Sequence, residues 1–156
     1  MNRHPLSSRR PAREWLCGAG RVVRYAWAAP WSLAGLILAL PALLAGATAR
    51  VTEGTLEVAG GRLGRAASRL PRALGFSAIT FGHVILAIDH ESLAPLRAHE
   101  RVHVRQYERW GPLFVPLYLG SSLAQLAAGR HPYLQNCFER EAVAKAGAAA
   151  GRRARR

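Results

Sequence analysis

Residues 89–111 read DHESLAPLRAHERVHVRQYERWG, and this stretch decides the fold. Asp89 and Ser92 supply turn and N-cap chemistry at its start. Pro95 falls in the first turn that follows, where its missing N–H is harmless. Gly111-Pro112 closes the run, so the stretch predicts a helix ending at Trp110. On that helix His99 and His103 stand four residues apart and project from one face. Glu100 sits one step round from His99.

Two imidazoles at this spacing can bind one zinc ion. The carboxylate beside them can then act as general base on the zinc-bound water, whose pKa the metal lowers. The competing reading is a charged surface helix with two solvated histidines. Context weighs against it, because the helix follows a strand-like run and carboxylates lie downstream. The segment Asn136-Cys137-Phe138-Glu139-Arg140-Glu141-Ala142 offers an ExxA pattern on a second helix. Glu139 is the expected third ligand, with Glu141 as its alternative, and the small Ala142 permits close helix packing.

These residues resemble the gluzincin zinc metallopeptidases, in which HExxH is followed by a separate helix that supplies a glutamate. The nearer likenesses are the HtpX and CAAX-prenyl-protease type and the small soluble minigluzincins. The resemblance covers roughly residues 76–145 and implies peptide-bond hydrolysis, with His99, His103 and Glu139 as zinc ligands and Glu100 as catalytic base. Those families usually place Asp after ExxA, and here Val143 stands in its place. The run HERVHVRQYERWG followed by an apolar stretch is also similar to a small group of bacterial membrane metallopeptidases. The fold implied is α+β and zincin-like: a small antiparallel sheet, the HExxH helix and a glutamate helix. In zincins the strand before the active-site helix is an edge that pairs with extended substrate, a role this assigns to residues 81–88.

Two apolar runs bear on localisation. Trp31 to Ala49 holds nineteen residues without a charged side chain. As a helix it would reach roughly 28 Å, close to the thickness of a bilayer's hydrocarbon. Arginines precede it and aromatic residues begin it, which matches membrane anchoring. A buried core helix, a signal cleaved near Ala45-Gly46-Ala47 and a re-entrant hairpin at Pro41 are the alternatives. The second run, Leu113 to Ala128, is short for a span. A single crossing there would also leave His103 and Glu139 roughly 30 Å apart, whereas zinc–ligand bonds are about 2 Å. It is therefore expected to be a core helix, an interfacial helix or a re-entrant dip, if Glu139 is a ligand.

The remaining sequence divides around these features. Residues 1–30 form a basic tail, 31–49 the membrane helix, 50–146 the catalytic domain and 147–156 a second basic tail. Residues 51–61 suggest a short strand or hairpin, and 62–75 an amphipathic basic helix ended by Pro71. Residues 78–88 read as one strand with Gly82 as a bulge. Gln106 and Tyr107 follow His103 by about one turn and could support it. His131 is the expected catalytic donor to a tetrahedral intermediate. His83, His90, Arg97 and Arg140 could approach the site, and Cys137 as a fourth ligand would close it.

The net charge of +13 is almost all arginine, since Lys145 is the one lysine. No helix-turn-helix, RNP-type aromatic pattern or zinc-finger spacing accompanies it, so a nucleic-acid partner is not expected. Two distant cysteines make no disulfide framework. The expected partners are a peptide or protein substrate and membrane lipid, at a bacterial inner membrane. The basic N-terminus favours the inside, while the arginines at 62–72 pull against that orientation. A non-catalytic zincin-like membrane protein that binds a partner is the competing function.

Overall fold

The computed structural model describes residues 10–69 and 77–153. Residues 1–9 of the basic tail, and the expected amphipathic segment beyond Arg69 with its Pro71, lie outside the described residues. Helix α1 (Arg10–Leu44) leads to strands β1 (Ala47–Thr52) and β2 (Thr55–Gly60), then to the short helix α2 (Gly61–Ala67). Strands β3 (Ala78–Phe81) and β4 (Val84–Ala87) precede helix α3 (His90–Trp110). A 3-10 turn at Gly111–Leu113 opens helix α4 (Phe114–Ala127), and α5 (Cys137–Arg153) ends the described chain.

The four strands form one sheet in the order β1-β2-β4-β3. The expected antiparallel sheet is corrected to a mixed one, because β2 and β4 pair in parallel. The reason is the route of the chain: after α2 it enters the far edge as β3, and the β3–β4 hairpin then brings β4 back beside β2 in the same direction. The expected single strand over 78–88 is instead a hairpin, β3 and β4 being antiparallel with Phe81 opposite Val84. Gly82 makes its turn with φ +57, and a Cβ there would meet the Ser32 backbone nitrogen at 2.5 Å. The edge position therefore belongs to β3 and not to the strand directly before α3.

Alternation along the strands assigns the two faces of the sheet. Val58 and Val84 meet Ala39 of α1, while Ile85 meets Leu93 and Val104 of α3. Ile85 and Leu93 are fully buried, which contributes about 2 kcal/mol each from transfer alone. The sheet is thus a middle layer between α1 and α3. Helix α1 reaches it through small residues at helical spacing, Ser32, Gly35 and Ala39, while Ala28 on the same stripe packs with Tyr107, Phe114 and Phe138. At Gly35 a Cβ would come within 2.8 Å of the Val84 Cβ, so only glycine permits this approach.

This arrangement revises the boundaries read from sequence. The apolar helix begins well before Trp31 and stops at Leu44, and Ala47–Ala49 belong to β1. The segment Gly20–Leu44 is long and apolar enough to cross a membrane, with mean hydropathy 1.7. Its outer face exposes Leu33, Leu36, Ile37, Leu40 and Leu44. Its aromatic residues also serve the fold: Tyr25 stacks on His83 at 3.9 Å, and Trp31 Nε1 donates to the Pro112 carbonyl at 3.1 Å. The helix at the C-terminus continues to Arg153, so the tail expected from 147 is helical over most of its length.

Helix α3 forms as its sequence requires. Asp89 accepts from the Ser92 amide at 2.6 Å, an N-cap, and Gly111 with φ +52 ends the helix. One ion pair fixes α3 to the sheet. Glu57 of β2 is completely buried and receives Arg97 Nε at 2.7 Å and Nη2 at 2.9 Å. Arg97→Ala leaves that carboxylate buried without its partner and should cost about 3–5 kcal/mol, read as a fall in the denaturant midpoint. Glu57→Leu combined with Arg97→Met should recover most of the loss.

Candidate metal centre

His99 and His103 emerge from the middle of α3, and Glu139 from the first turn of α5. Asn136 creates that turn: its Oδ1 accepts from the Phe138 amide at 2.9 Å. Its amide group donates to the Tyr118 carbonyl at 3.0 Å and to Ser122 Oγ at 2.8 Å, tying α5 to α4. The carboxylate of Glu139 therefore sits at a helix N-terminus, where the helix dipole favours negative charge. Ala142, fully buried one turn on, lets α5 lie close to α3.

The three expected ligand residues converge, with their ligand atoms within 4.8 Å of one another. His103 Nε2 lies 3.0 Å from His99 Nε2 and 3.3 Å from Glu139 Oε1, and His99 Nε2 is 3.1 Å from Glu139 Oε2. Ligands about 2.0–2.1 Å from a tetrahedral ion stand roughly 3.3 Å apart, so the group has the dimensions of one coordination face. Glu139 Oε2 is buried with the His99 ring nitrogen at 3.1 Å but not aligned as a hydrogen bond, an uncommon condition for a carboxylate oxygen. These four observations fit a metal ion held by His99, His103 and Glu139.

Charge in the cluster is balanced locally. Burial disfavours a charged His103, but the Glu139 carboxylate outweighs it and raises the His103 pKa above its ordinary value. Burial likewise pushes Glu139 up, yet His103 and His99 hold its carboxyl well below the usual range. A proton shared here would give way to a cation, because metal binding needs neutral imidazole and ionised carboxylate.

Gln106 fixes how His103 presents itself. Its amide nitrogen donates to the Phe138 carbonyl at 3.1 Å and to Glu141 Oε2 at 2.8 Å. The amide oxygen must then face His103, and it lies 2.8 Å from Nδ1. Nδ1 is the donor, which leaves Nε2 of the neutral ring as the lone pair aimed at Glu139 and His99. The same side chain links α3 to α5. Glu141 is occupied by Gln106 and Lys145 outside the three-residue group. Val143, where the resembling families carry Asp, is exposed.

The cluster opens into a cleft of about 230 Å³. Edge strand β3, Glu100 and Tyr107 of α3, Phe114 and Tyr118 of α4, and Tyr133 line it. Glu100 is buried, and the Thr80 hydroxyl donates to its Oε2 at 2.7 Å. Tyr118 donates to Glu139 Oε1 at 2.8 Å. Burial, and then the Glu139 carboxylate, raise the pKa of both Tyr118 and Tyr133, so each remains a hydroxyl donor.

Other expected residues stand elsewhere. His131 is exposed outside the cleft lining, and its Nδ1 accepts from the amides of Tyr133 and Leu134, both at 3.2 Å. That turn delivers Tyr133 to the cleft in its place. His83 lies under Tyr25 and 3.3 Å from Glu108, His90 bonds Thr48, and Arg97 serves Glu57. Cys137 is exposed with its sulfur beside Ser121. Thr80, Tyr118 and Asn136 were not anticipated. Thr80 carried a signal as the one polar residue within an apolar strand.

Gln106→Leu removes the acceptor for His103 Nδ1 and should weaken divalent-metal binding about 10–100-fold, measured by competition with a chelating dye. Unchanged affinity would show that His103 is oriented without the amide.

Comparison with family models, with curated proteins and with solved structures returned no match.

Proposed function

We propose that the chain is a membrane-associated, zinc-dependent peptidase with a zincin-like catalytic domain. The observation that carries the reading is the convergence of His99, His103 and Glu139 with Glu100 in one cleft beside an edge strand. Two imidazoles and one carboxylate in a tetrahedral set are the donors of a catalytic zinc site, with the fourth position left for water or substrate. A zinc ion held there would supply Lewis acidity, acidifying a water and polarising the scissile carbonyl.

The chain's own groups account for the rest. Thr80 orients the Glu100 carboxylate, which takes the proton from the attacking water and returns it to the leaving amine. Tyr133, kept protonated, donates to the oxygen that gains charge in the tetrahedral intermediate. Strand β3 offers backbone groups to an extended polypeptide, and Phe81, Tyr107, Phe114 and Val115 give the cleft an apolar wall for a substrate side chain. The apolar outer face of α1 accounts for membrane association, while its inner face covers the sheet.

Glu100→Gln keeps the three ligands and removes the base. Zinc content should be unchanged and cleavage of fluorogenic peptides with an apolar residue at the scissile bond should fall about 10²–10⁴-fold. Tyr133→Phe should lower kcat about 10²-fold with KM little changed. Wild-type protein that binds zinc tightly and cleaves no peptide in a broad library would favour the non-catalytic, partner-binding reading.

A further inference from the structure

Helix α4 is inside out for a protein surrounded by water. Leu113 just before it and its outward positions Leu117, Leu119, Leu123 and Leu126 are 40 to 64% exposed. Three of its polar side chains turn instead toward α5 and the residue before it: Tyr118 to Glu139, Ser121 to Cys137 and Ser122 to Asn136. A surface helix in water shows the reverse arrangement. At fourteen residues α4 is about 21 Å long, short of the roughly 30 Å needed to cross hydrocarbon.

Charge and continuity identify what covers this face. No acidic side chain occurs between Glu108 and Glu139, and exposed Arg109 and Arg130 flank the helix at its two ends. Arg109 lies over the Trp110 ring at 5.2 Å, a pairing suited to a headgroup boundary. The 3-10 turn that opens α4 also abuts α1, where Trp31 bonds the Pro112 carbonyl and Trp27 lies against Gly111. The apolar face of α4 thus starts beside the helix already assigned to lipid.

We infer that α4 is a second membrane-docking element, lying in the plane of one leaflet of an anionic bilayer with its leucines in the acyl region and Arg109 and Arg130 among the headgroups. This rests on the membrane-associated reading of α1 and is independent of zinc and of catalysis. It gives the cleft a fixed address, because the inner face of the same helix supplies Phe114 and Tyr118 to the cleft wall.

The test uses the full chain carrying Cys17→Ser and Cys137→Ser, with one environment-sensitive fluorophore at Leu123→Cys, Leu119→Cys, Ile37→Cys or Arg152→Cys. The vesicles are phosphatidylcholine and phosphatidylglycerol at 3:1, with and without brominated acyl chains. The inference expects the probes at 119, 123 and 37 to brighten severalfold and be quenched by the brominated lipid, and the probe at 152 to stay aqueous. Quenching at 37 with aqueous probes at 119 and 123 would overturn the docking of α4 and leave the reading of α1 standing. Aqueous probes at all sites would overturn both. Probes at 119 and 123 that become dry without vesicles, as protein concentration rises, would assign the face to a second copy of the chain.

Discussion

One carboxylate between two imidazoles sets the arrangement of the molecule. Glu139 comes from a helix that begins long after the helix of His99 and His103 ends, yet its oxygens lie 3.1 and 3.3 Å from their Nε2 atoms. That approach requires α5 to return across α3, a small residue where the helices are closest, and a cap that aims the first turn of α5. Ala142, Asn136 and Gln106 meet those three needs. Each is buried, so each polar one must be satisfied within the protein, and each is. Buried polar groups of this kind stiffen the site because any displacement strands several partners at once.

The sheet transmits the same constraint to the rest of the fold. Thr80 holds Glu100 from β3, Glu57 holds Arg97 from β2, and Ile85 packs beneath α3 from β4. The opposite face would be open apolar surface without α1. That helix therefore has two jobs on its two faces: small residues seat it on the sheet, and large aliphatic ones face outward. A crossing perpendicular to the membrane would draw the edge of the sheet into hydrocarbon, where open strand edges are not tolerated. On the membrane-associated reading proposed above, a helix lying along the membrane surface would meet both demands, and α4 repeats the pattern with its leucines outward.

Much of the site was legible in the sequence because it depends on local spacing. A four-residue interval puts His99 and His103 on one face, Asp89 and Gly111 mark the ends of α3, and ExxA places Glu139 on a helix with Ala142 beneath it. A short strand or hairpin over 51–61 was likewise signalled by its glycines and threonines, although β1 begins earlier, at Ala47. What could not be read locally was which surfaces meet. The parallel pairing of β2 with β4 depends on β3 taking the outer edge of the sheet, and no residue near either strand encodes that placement. The division of β3 from β4 turned on whether Gly82 bulged or turned, and close approach of Ser32 selects the turn. His131 and Tyr133 are two residues apart in one loop, and only the backbone bonds that fold the loop decide which one faces the cleft. For α1, uniform apolar composition concealed the spacing of Ala28, Ser32, Gly35 and Ala39, which was the visible sign of a packed face.

The most direct test of the account is X-ray absorption at the zinc edge of the full chain after reconstitution, with the metal content of the same sample. The account expects one tightly held zinc per chain, two imidazole nitrogens and oxygen neighbours at about 2.0–2.1 Å with no sulfur, and loss of that site in Glu139→Gln. Protein that retains no zinc, or a shell with sulfur at about 2.3 Å, would contradict it.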